Sequence, residues 1–322
     1  KTMSETDLAW SSTDFGFFTG GYSFLNVFFL MLIWGGLILD RFGIRFTGKL
    51  ATILMVGGTA LEYYAMTGLA GADATLFGIN EIFGYKTGVF VAFAGYSIFG
   101  VGAEVAGITV SKIIAKWFKG KELATAMGVQ VALARIGSQA GYAVAIPLAR
   151  AFGISTPVLL GLVLLLGGMI AFFIFAVMDK KLDKQMEAAA IAAGTEDEEE
   201  KFSFKDVKNI LVNPGFWLIA LLCVLFYSCV FPFQKFASEL MIIKYGINEN
   251  VAGTFAGLPA LGALILTPVF GGFIDKRGKS ASIMLLGSAM LICVHFIYAI
   301  PDINYWLVAI VLMIILERKS TR

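Results

Sequence analysis

Residues 36–45 read Gly-Leu-Ile-Leu-Asp-Arg-Phe-Gly-Ile-Arg, and residues 271–279 read Gly-Gly-Phe-Ile-Asp-Lys-Arg-Gly-Lys. Both are G-x-x-x-D-[RK]-x-G with a further base one or two positions on. Gly36 matches Gly271, Asp40 matches Asp275, Arg41 matches Lys276, Gly43 matches Gly278, and Arg45 matches Lys279. Each copy closes one apolar stretch and opens the next. The glycine ahead of the acid lets two helices approach closely. The acid is placed to accept backbone donors at the start of the following helix, and the second glycine permits a tight reversal. The bases are placed to hold anionic headgroups or a neighbouring acid. A single copy would be a generic short turn. Two copies at equivalent places make an internal repeat, the construction principle of many secondary transporters.

Working outward, the flanking stretches are those of a membrane protein. The chain has 322 residues, of which 58% are hydrophobic and only 15% charged, with a mean hydropathy of +0.81. A soluble domain carries about 25% charged residues. Apolar runs long enough to cross a bilayer fall at about 12–38, 50–69, 88–111, 123–147, 156–178, 214–237, 250–270, 280–300 and 303–317. The expected class is all-α integral membrane, with about nine spanning helices in two pseudo-repeated bundles. The ten-residue alternating segments of a transmembrane barrel do not occur. Basic residues cluster in alternate turns, at Arg41, Arg45 and Lys49; at Lys112, Lys116, Lys119 and Lys121; at Lys180, Lys181 and Lys184; and at Lys276, Arg277 and Lys279. The positive-inside rule puts these turns in the cytoplasm. No stripe of bases with interleaved aromatics marks a nucleic-acid surface. No paired-carboxylate hydrolase site, nucleophile triad, phosphate loop or metal-ligand cluster is legible, so neither an enzyme nor a cofactor is expected. Cys223, Cys229 and Cys293 fall inside apolar spans and read as small hydrophobic residues.

Two of these spans carry a charge near the middle. Residues 96–142 run from Tyr96 through Glu104 to the basic turn at 112–122, then through Arg135 to Tyr142. A charge at the bilayer centre costs about 2.5–3.5 kcal/mol on insertion scales and is by default a functional-site hypothesis. Glu104 precedes Lys112 by about 12 Å of helix, and Arg135 follows Glu122 by about 20 Å, so both fall near the midplane of a core about 30 Å thick. Arg135, Ser138, Gln139 and Tyr142 share one helical face, and Tyr96 shares another with Glu104. An acid and a base on two helices suit a zwitterion, with an ammonium on Glu104 and a carboxylate on the Arg135 fork. The bland alternative is a salt bridge that joins two helices.

At the repeated turn the chain resembles the major facilitator superfamily, in which this motif lies between helices 2 and 3 and again between helices 8 and 9. The resemblance implies that the chain covers helices 2–10 of a twelve-helix fold. Residues 1–178 would be the N-terminal bundle without helix 1. Residues 179–212 would be the cytoplasmic linker, and 213–322 the C-terminal bundle without helices 11 and 12. The turn Trp117-Phe118-Lys119-Gly120-Lys121-Glu122, the run Ala134-Arg135-Ile136-Gly137-Ser138 and Phe231-Pro232-Phe233 resemble the branch of lysosomal dipeptide transporters and their bacterial relatives. In that branch an acid on helix 4 and an arginine on helix 5 bind the two ends of the substrate, which implies these roles for Glu104 and Arg135. The implied function is alternating-access transport of short peptides, with the repeated turn latching the cytoplasmic gate. An organic-acid or anion porter of the same fold, and a non-transporting receptor, are the alternatives.

The remaining polar residues rank lower. Lys235, just after Pro232, is either an outer gate or a snorkelling lysine. Glu62 is expected at the outer interface. His295 is expected to be packed or interfacial. The partners implied are a small zwitterionic or peptide solute and the bilayer, with an accessory subunit left open. The lack of an Asn-x-Ser/Thr sequon and the short outer loops fit a bacterial inner membrane better than a lysosomal one.

Overall fold

A computed structural model describes residues 10–71, 75–118, 123–193, 212–249, 251–258, 262, 280–300 and 304. The chain divides into two compact units. The first is Lys1–Leu123 with Ala151–Phe202, and the second is Ala124–Arg150 with Ser203–Arg322. Residues 124–150, placed with 1–178 by the sequence reading, group here with the second unit. The repeat copy Gly271, Asp275, Lys276, Gly278 and Lys279, the run 303–317 and residues 194–211 of the linker lie outside the described residues.

Helix α1 (Ser12–Phe28) starts with a capping box. The Ser11 hydroxyl accepts the Asp14 amide at 3.1 Å, and the Asp14 carboxylate accepts the Ser11 amide at 2.8 Å. The apolar run 12–38 is not one straight span. Leu30, at φ +50°, separates α1 from α2 (Met31–Thr67), and the two meet at a 58° bend. Within α2, Gly43 has φ +74° and ψ 173°. Before it, Gly35 lies against Val105 and Asp40 against Lys112. After it, Ala51 and Met55 lie against Gly102, and Gly58 against Gly95. The register along α3 (Thr87–Trp117) therefore rises up to residue 40 and falls afterwards, so the chain reverses at Gly43 as its sequence predicts.

Helix α3 is the centre of the first unit. Its glycines sit where neighbouring backbones come closest. A Cβ on Gly95 would lie 2.7 Å from the Gly58 carbonyl, and one on Gly102 2.8 Å from the Ala51 carbonyl. On α1, a Cβ at Gly21 would meet the Phe93 carbonyl at 2.7 Å. Without a hydrophobic drive between helices in lipid, close approach at small residues is what holds such a bundle. Glu62 corrects the sequence expectation. It is only 7% exposed, because α2 presents it to α3 beside Gly95 rather than to the interface. A short β-hairpin, β1 (Glu81–Ile82) and β2 (Tyr85–Lys86), links α2 to α3. Helix α5 (Thr156–Ala193) continues past the expected span end at 178, so the linker begins as helix.

In the second unit, α4 (Leu123–Phe152), α6 (Pro214–Tyr245), the helical segment 251–258 and α7 (Ser280–Ala299) are described. Asn213 caps α6 by accepting the Gly215 amide at 2.9 Å, and Gly246 at φ +62° ends it. Helix α6 runs on through Pro232. Val230 and Met241 of α6, Ala252, and Leu291, Val294 and Tyr298 of α7 form the core. The His295 ring contacts the Leu291 carbonyl one turn back at 2.9 Å, with Phe233 edge-on.

Among the described residues, Thr87–Trp117, Thr156–Gln185 and Pro214–Tyr245 are long and apolar enough to cross a membrane, and the bent α1–α2 pair adds a fourth candidate. Helix α4 has the length, at 30 residues, but its middle carries Gln130, Arg135, Ser138 and Gln139.

The two glycines of the first motif separate cleanly. Gly43→Ala forces a side chain into the positive-φ, extended-ψ region that is essentially glycine-only and should cost about 1–3 kcal/mol. Gly36 meets nothing within 4 Å, so Gly36→Ala should be neutral or up to about 1 kcal/mol stabilising. Thermal unfolding in detergent, comparing the two variants with the parent, checks this.

Candidate functional site

In the first unit, Glu104 lies on α3 and is half-buried. The Tyr22 hydroxyl of α1 donates to Glu104 Oε1 at 2.8 Å. Local sequence explains how these residues meet. Gly100 lies one turn before Glu104, and a Cβ there would collide with the Tyr22 carbonyl. With Gly21 also against α3, the α1 backbone comes close enough for a tyrosine to reach the acid. Tyr96 borders the same place. Its ring stacks on Phe18 with centroids 5.0 Å apart and on Phe99 at 5.9 Å, and it lies tilted at 5.5 Å from Tyr22. Tyr22, Tyr96, Phe18 and Phe99 thus form an aromatic cluster beside one carboxylate. Tyr22 hydrogen-bonds to Glu104 without neutralising it, and aromatic faces favour a cation. The site is chemically suited to an ammonium group.

Sequence reasoning named Glu104 and Tyr96 but missed Tyr22 and Phe18. A signal was available. Gly20-Gly21 directly precedes Tyr22, and Gly100 precedes Glu104 by four residues, the spacing of two helices crossing at glycines.

The second unit holds Arg135, Ser138, Gln139 and Tyr142, all on α4. Arg135 is half-buried and Ser138 exposed, the serine hydroxyl donating to the Ala134 carbonyl at 3.0 Å. Gln139 and Tyr142 have a packing role that sequence did not show. Gly257 lies directly against the Gln139 side chain, and Gly253 against the Tyr142 carbonyl. The segment 251–258 therefore seats on this face of α4. Gln139 Oε1 is buried there with no hydrogen-bond partner among the described residues. An ion pair between Arg150 and Glu249 joins α4 to the residues just before that segment. Lys235 is exposed on α6, three residues after Pro232.

The motif at 36–45 builds a second charged place, at the C-terminal end of α3. Asp40 pairs with Lys112 at 2.9 Å, so it holds a side chain of α3 rather than the backbone donors that sequence led one to expect. The close helix approach is at Gly35, where a Cβ would lie 2.6 Å from Val105, and not at Gly36. Arg41 lies over the Phe42 ring at 5.8 Å. Arg45 reaches Asp183 of α5 at 2.8 Å and lies 3.6 Å from Asp179. Lys116 pairs with Asp179 at 2.8 Å and also with Asp183, and the Trp117 indole donates to Asp179 at 3.0 Å. The Asp179 side chain is fully buried. Leu39, Ile44 and these charges line a cleft of about 370 Å³. Three helices are thereby tied at one end by two acids and two bases.

Residues 2–317 match the family described as Major Facilitator Superfamily. The chain belongs to that superfamily. Its relatives include proteins named lysosomal dipeptide transporter MFSD1. Those from Pongo abelii and Homo sapiens are each 26% identical over 321 residues, covering 95% of this chain and 63% of the relative. The Gallus gallus protein is 30% identical over 226 residues, covering 66% of this chain and 49% of the relative. The chain thus spans less than two thirds of the length of these relatives. As a superfamily member it is an integral membrane protein of helical bundles, and its repeated turn is the one shared feature legible in both halves of the sequence.

The two classes of ion pair in the first motif should differ in weight. Asp179→Asn removes the buried one of the two acids that hold Lys116 and Arg45, and leaves Asp183 to both bases. It should lower stability by about 1.5–3 kcal/mol, the range for losing a hydrogen bond to a charged group, because Asp183 still holds both bases. Asp40→Asn breaks a pair with both side chains more than two-fifths exposed and should cost less than about 1 kcal/mol. Chemical or thermal unfolding of the two variants in the same detergent measures the difference.

Proposed function

We propose that the complete protein is an alternating-access transporter of short peptides. Glu104 receives the peptide ammonium and Arg135 its carboxylate, near the bilayer midplane. The observation that carries the reading is the Glu104 carboxylate held by a neutral tyrosine donor in a cluster of aromatic rings. Asp179, by contrast, is met by a cation of the helix packed against it, Lys116. Membership of the superfamily supports transport, and the names of the relatives support dipeptides as the solute class. Tyr96 beside Glu104, and Ser138, Gln139 and Tyr142 on the helix of Arg135, are the further substrate-binding candidates, and Gln139 and Tyr142 also pack the segment 251–258. The bundles are 1–178 and 213–322, joined by 179–212. The turn at 36–45 and its repeat at 271–279 latch the cytoplasmic gate, and Lys235 stands near the outer mouth. The membrane we assign is a bacterial inner membrane, which the absence of sequons and the short outer loops support, although the matched relatives carry the word lysosomal in their names.

Uptake of a labelled dipeptide into proteoliposomes of the complete protein tests this. Saturable uptake should fall at least about 10-fold in Glu104→Gln and in Arg135→Ala, the loss expected for one charged hydrogen bond of about 1.5–3 kcal/mol. Uptake unchanged in both, with folding intact, would make the two residues structural and remove the reason for naming peptides. Competition divides the substrate classes. An N-acetylated dipeptide and a C-amidated one should each compete poorly. Full competition by a simple carboxylic acid would instead point to an organic-acid porter. Tyr22→Phe keeps the ring and removes one hydrogen bond to the carboxylate, worth about 1.5 kcal/mol at the low end for a charged acceptor. It should raise KM several-fold and leave the amount of folded protein unchanged.

A further inference from the structure

The link between α2 and α3 contains a feature that neither the transport reading nor the bundle packing uses. Leu76 and Ile79 exchange two backbone hydrogen bonds of 3.0 Å, closing a two-residue loop, Phe77-Gly78. Ile82 pairs with Tyr85, closing a second, Phe83-Gly84. All four loop residues have positive φ: 53° and 79° in the first, 53° and 80° in the second. These are the torsions of a type I′ turn, whose first position favours asparagine or glycine. Phenylalanine there is sterically strained, and a bulky residue at positive φ is a true outlier. Yet the sequence uses Phe-Gly twice within eight residues, and Phe77 is 96% exposed and Phe83 89%.

The platform beneath the two rings is fixed. The Thr87 hydroxyl donates to the Ile79 carbonyl at 2.7 Å and the Thr87 amide to the Asn80 carbonyl at 2.9 Å. The Tyr85 ring stacks on Phe17 of α1 at 3.9 Å with planes 12° apart. The two phenyl rings are thus strained outward from a rigid hairpin, and in water they would return nothing. Covering each with an apolar phase removes phenyl surface from water and offsets the strain.

The chain's own surroundings supply that phase. The hairpin follows α2 and leads without a spacer into α3 at Thr87, the start of a candidate span. It is at the opposite end of α3 from the basic cluster at Lys112 and Lys116, about 38–44 Å away along the helix at its rise per residue. It therefore sits at the headgroup level of one leaflet. The Phe83 ring lies 6.0 Å from Phe90 in the first turns of α3, so it continues the aromatic surface of the span. Glu81 lies opposite Lys86 in the pairing, so the two strands carry no net charge to repel headgroups.

We propose that Phe77 and Phe83 insert into the interfacial layer of the bilayer on the side away from the basic turns, anchoring the α2–α3 end of the first unit at a set depth. This inference rests on membrane placement alone and stands or falls independently of the substrate.

The test is made on the complete protein in liposomes, with Cys223, Cys229 and Cys293 replaced by alanine and a single cysteine placed by Phe77→Cys, Phe83→Cys or Glu81→Cys. Each cysteine is spin-labelled, and its collision rates with dissolved oxygen and with a water-soluble nickel complex are compared. Labels at 77 and 83 should collide several-fold more with oxygen relative to nickel than the label at 81. Equal ratios at the three sites would overturn the proposal. So would low collision with both reagents at 77 and 83, the result of a protein surface covering the rings. Should a cysteine at either tip prevent folding, Phe77→Trp and Phe83→Trp in lipids brominated near the headgroup answer the same question. Quenching above that of the parent supports insertion, and unchanged quenching overturns it.

Discussion

The first unit depends on backbone-to-backbone contact at glycine. In lipid, burying an apolar side chain between helices releases little that the acyl chains did not already provide, so association falls to close packing and polar contacts. Gly21, Gly58, Gly95, Gly100 and Gly102 are the positions at which α1, α2 and α3 touch most closely, and a single methyl at any of them would meet a backbone atom. The register that results places Tyr22 on Glu104, Asp40 on Lys112, and Glu62 in a buried position that its sequence neighbourhood does not suggest. These side chains are held where they are by residues that have no side chain.

Charges in this unit follow two different logics. At the end of α3, the buried Asp179 is met by Lys116, Arg45 and the Trp117 indole. Acids and bases there balance two against two, as a buried charge requires if it is to hold structure together. At mid-span, Glu104 is met by a phenol, which donates a hydrogen bond and brings no charge. A site so arranged keeps its appetite for a cation. One unit thus carries both a balanced cluster and an acid met by a neutral donor.

Particular residues show how far the sequence was legible. The turn at Gly43 was readable because only glycine takes φ +74° at no steric cost, and its neighbouring bases and acids gave the pattern twice. Glu104 was readable because a charge in an apolar run is rare. Tyr22 was not, since an aromatic residue in a membrane helix is ordinary until the crossing point of two helices is known. Gly36 was misjudged against Gly35, because adjacent glycines on a helix point about 100° apart and only packing says which one faces the neighbour. The break at Leu30 was hidden inside a continuous apolar run, where hydropathy has no means of recording a backbone torsion.

Class, approximate span positions, the repeated turn and the presence of two mid-span charges follow from the one-dimensional order of polar and apolar residues. The bilayer makes the cost of each polar residue so large that its position along the chain is informative by itself. The partners of those residues were decided by the tertiary structure: Tyr22 for Glu104, Asp179 and Asp183 for Arg45, the segment 251–258 for Gln139 and Tyr142. Partnership depends on helix rotation and register, which arise from contacts between residues far apart in the chain and leave no periodic trace along it.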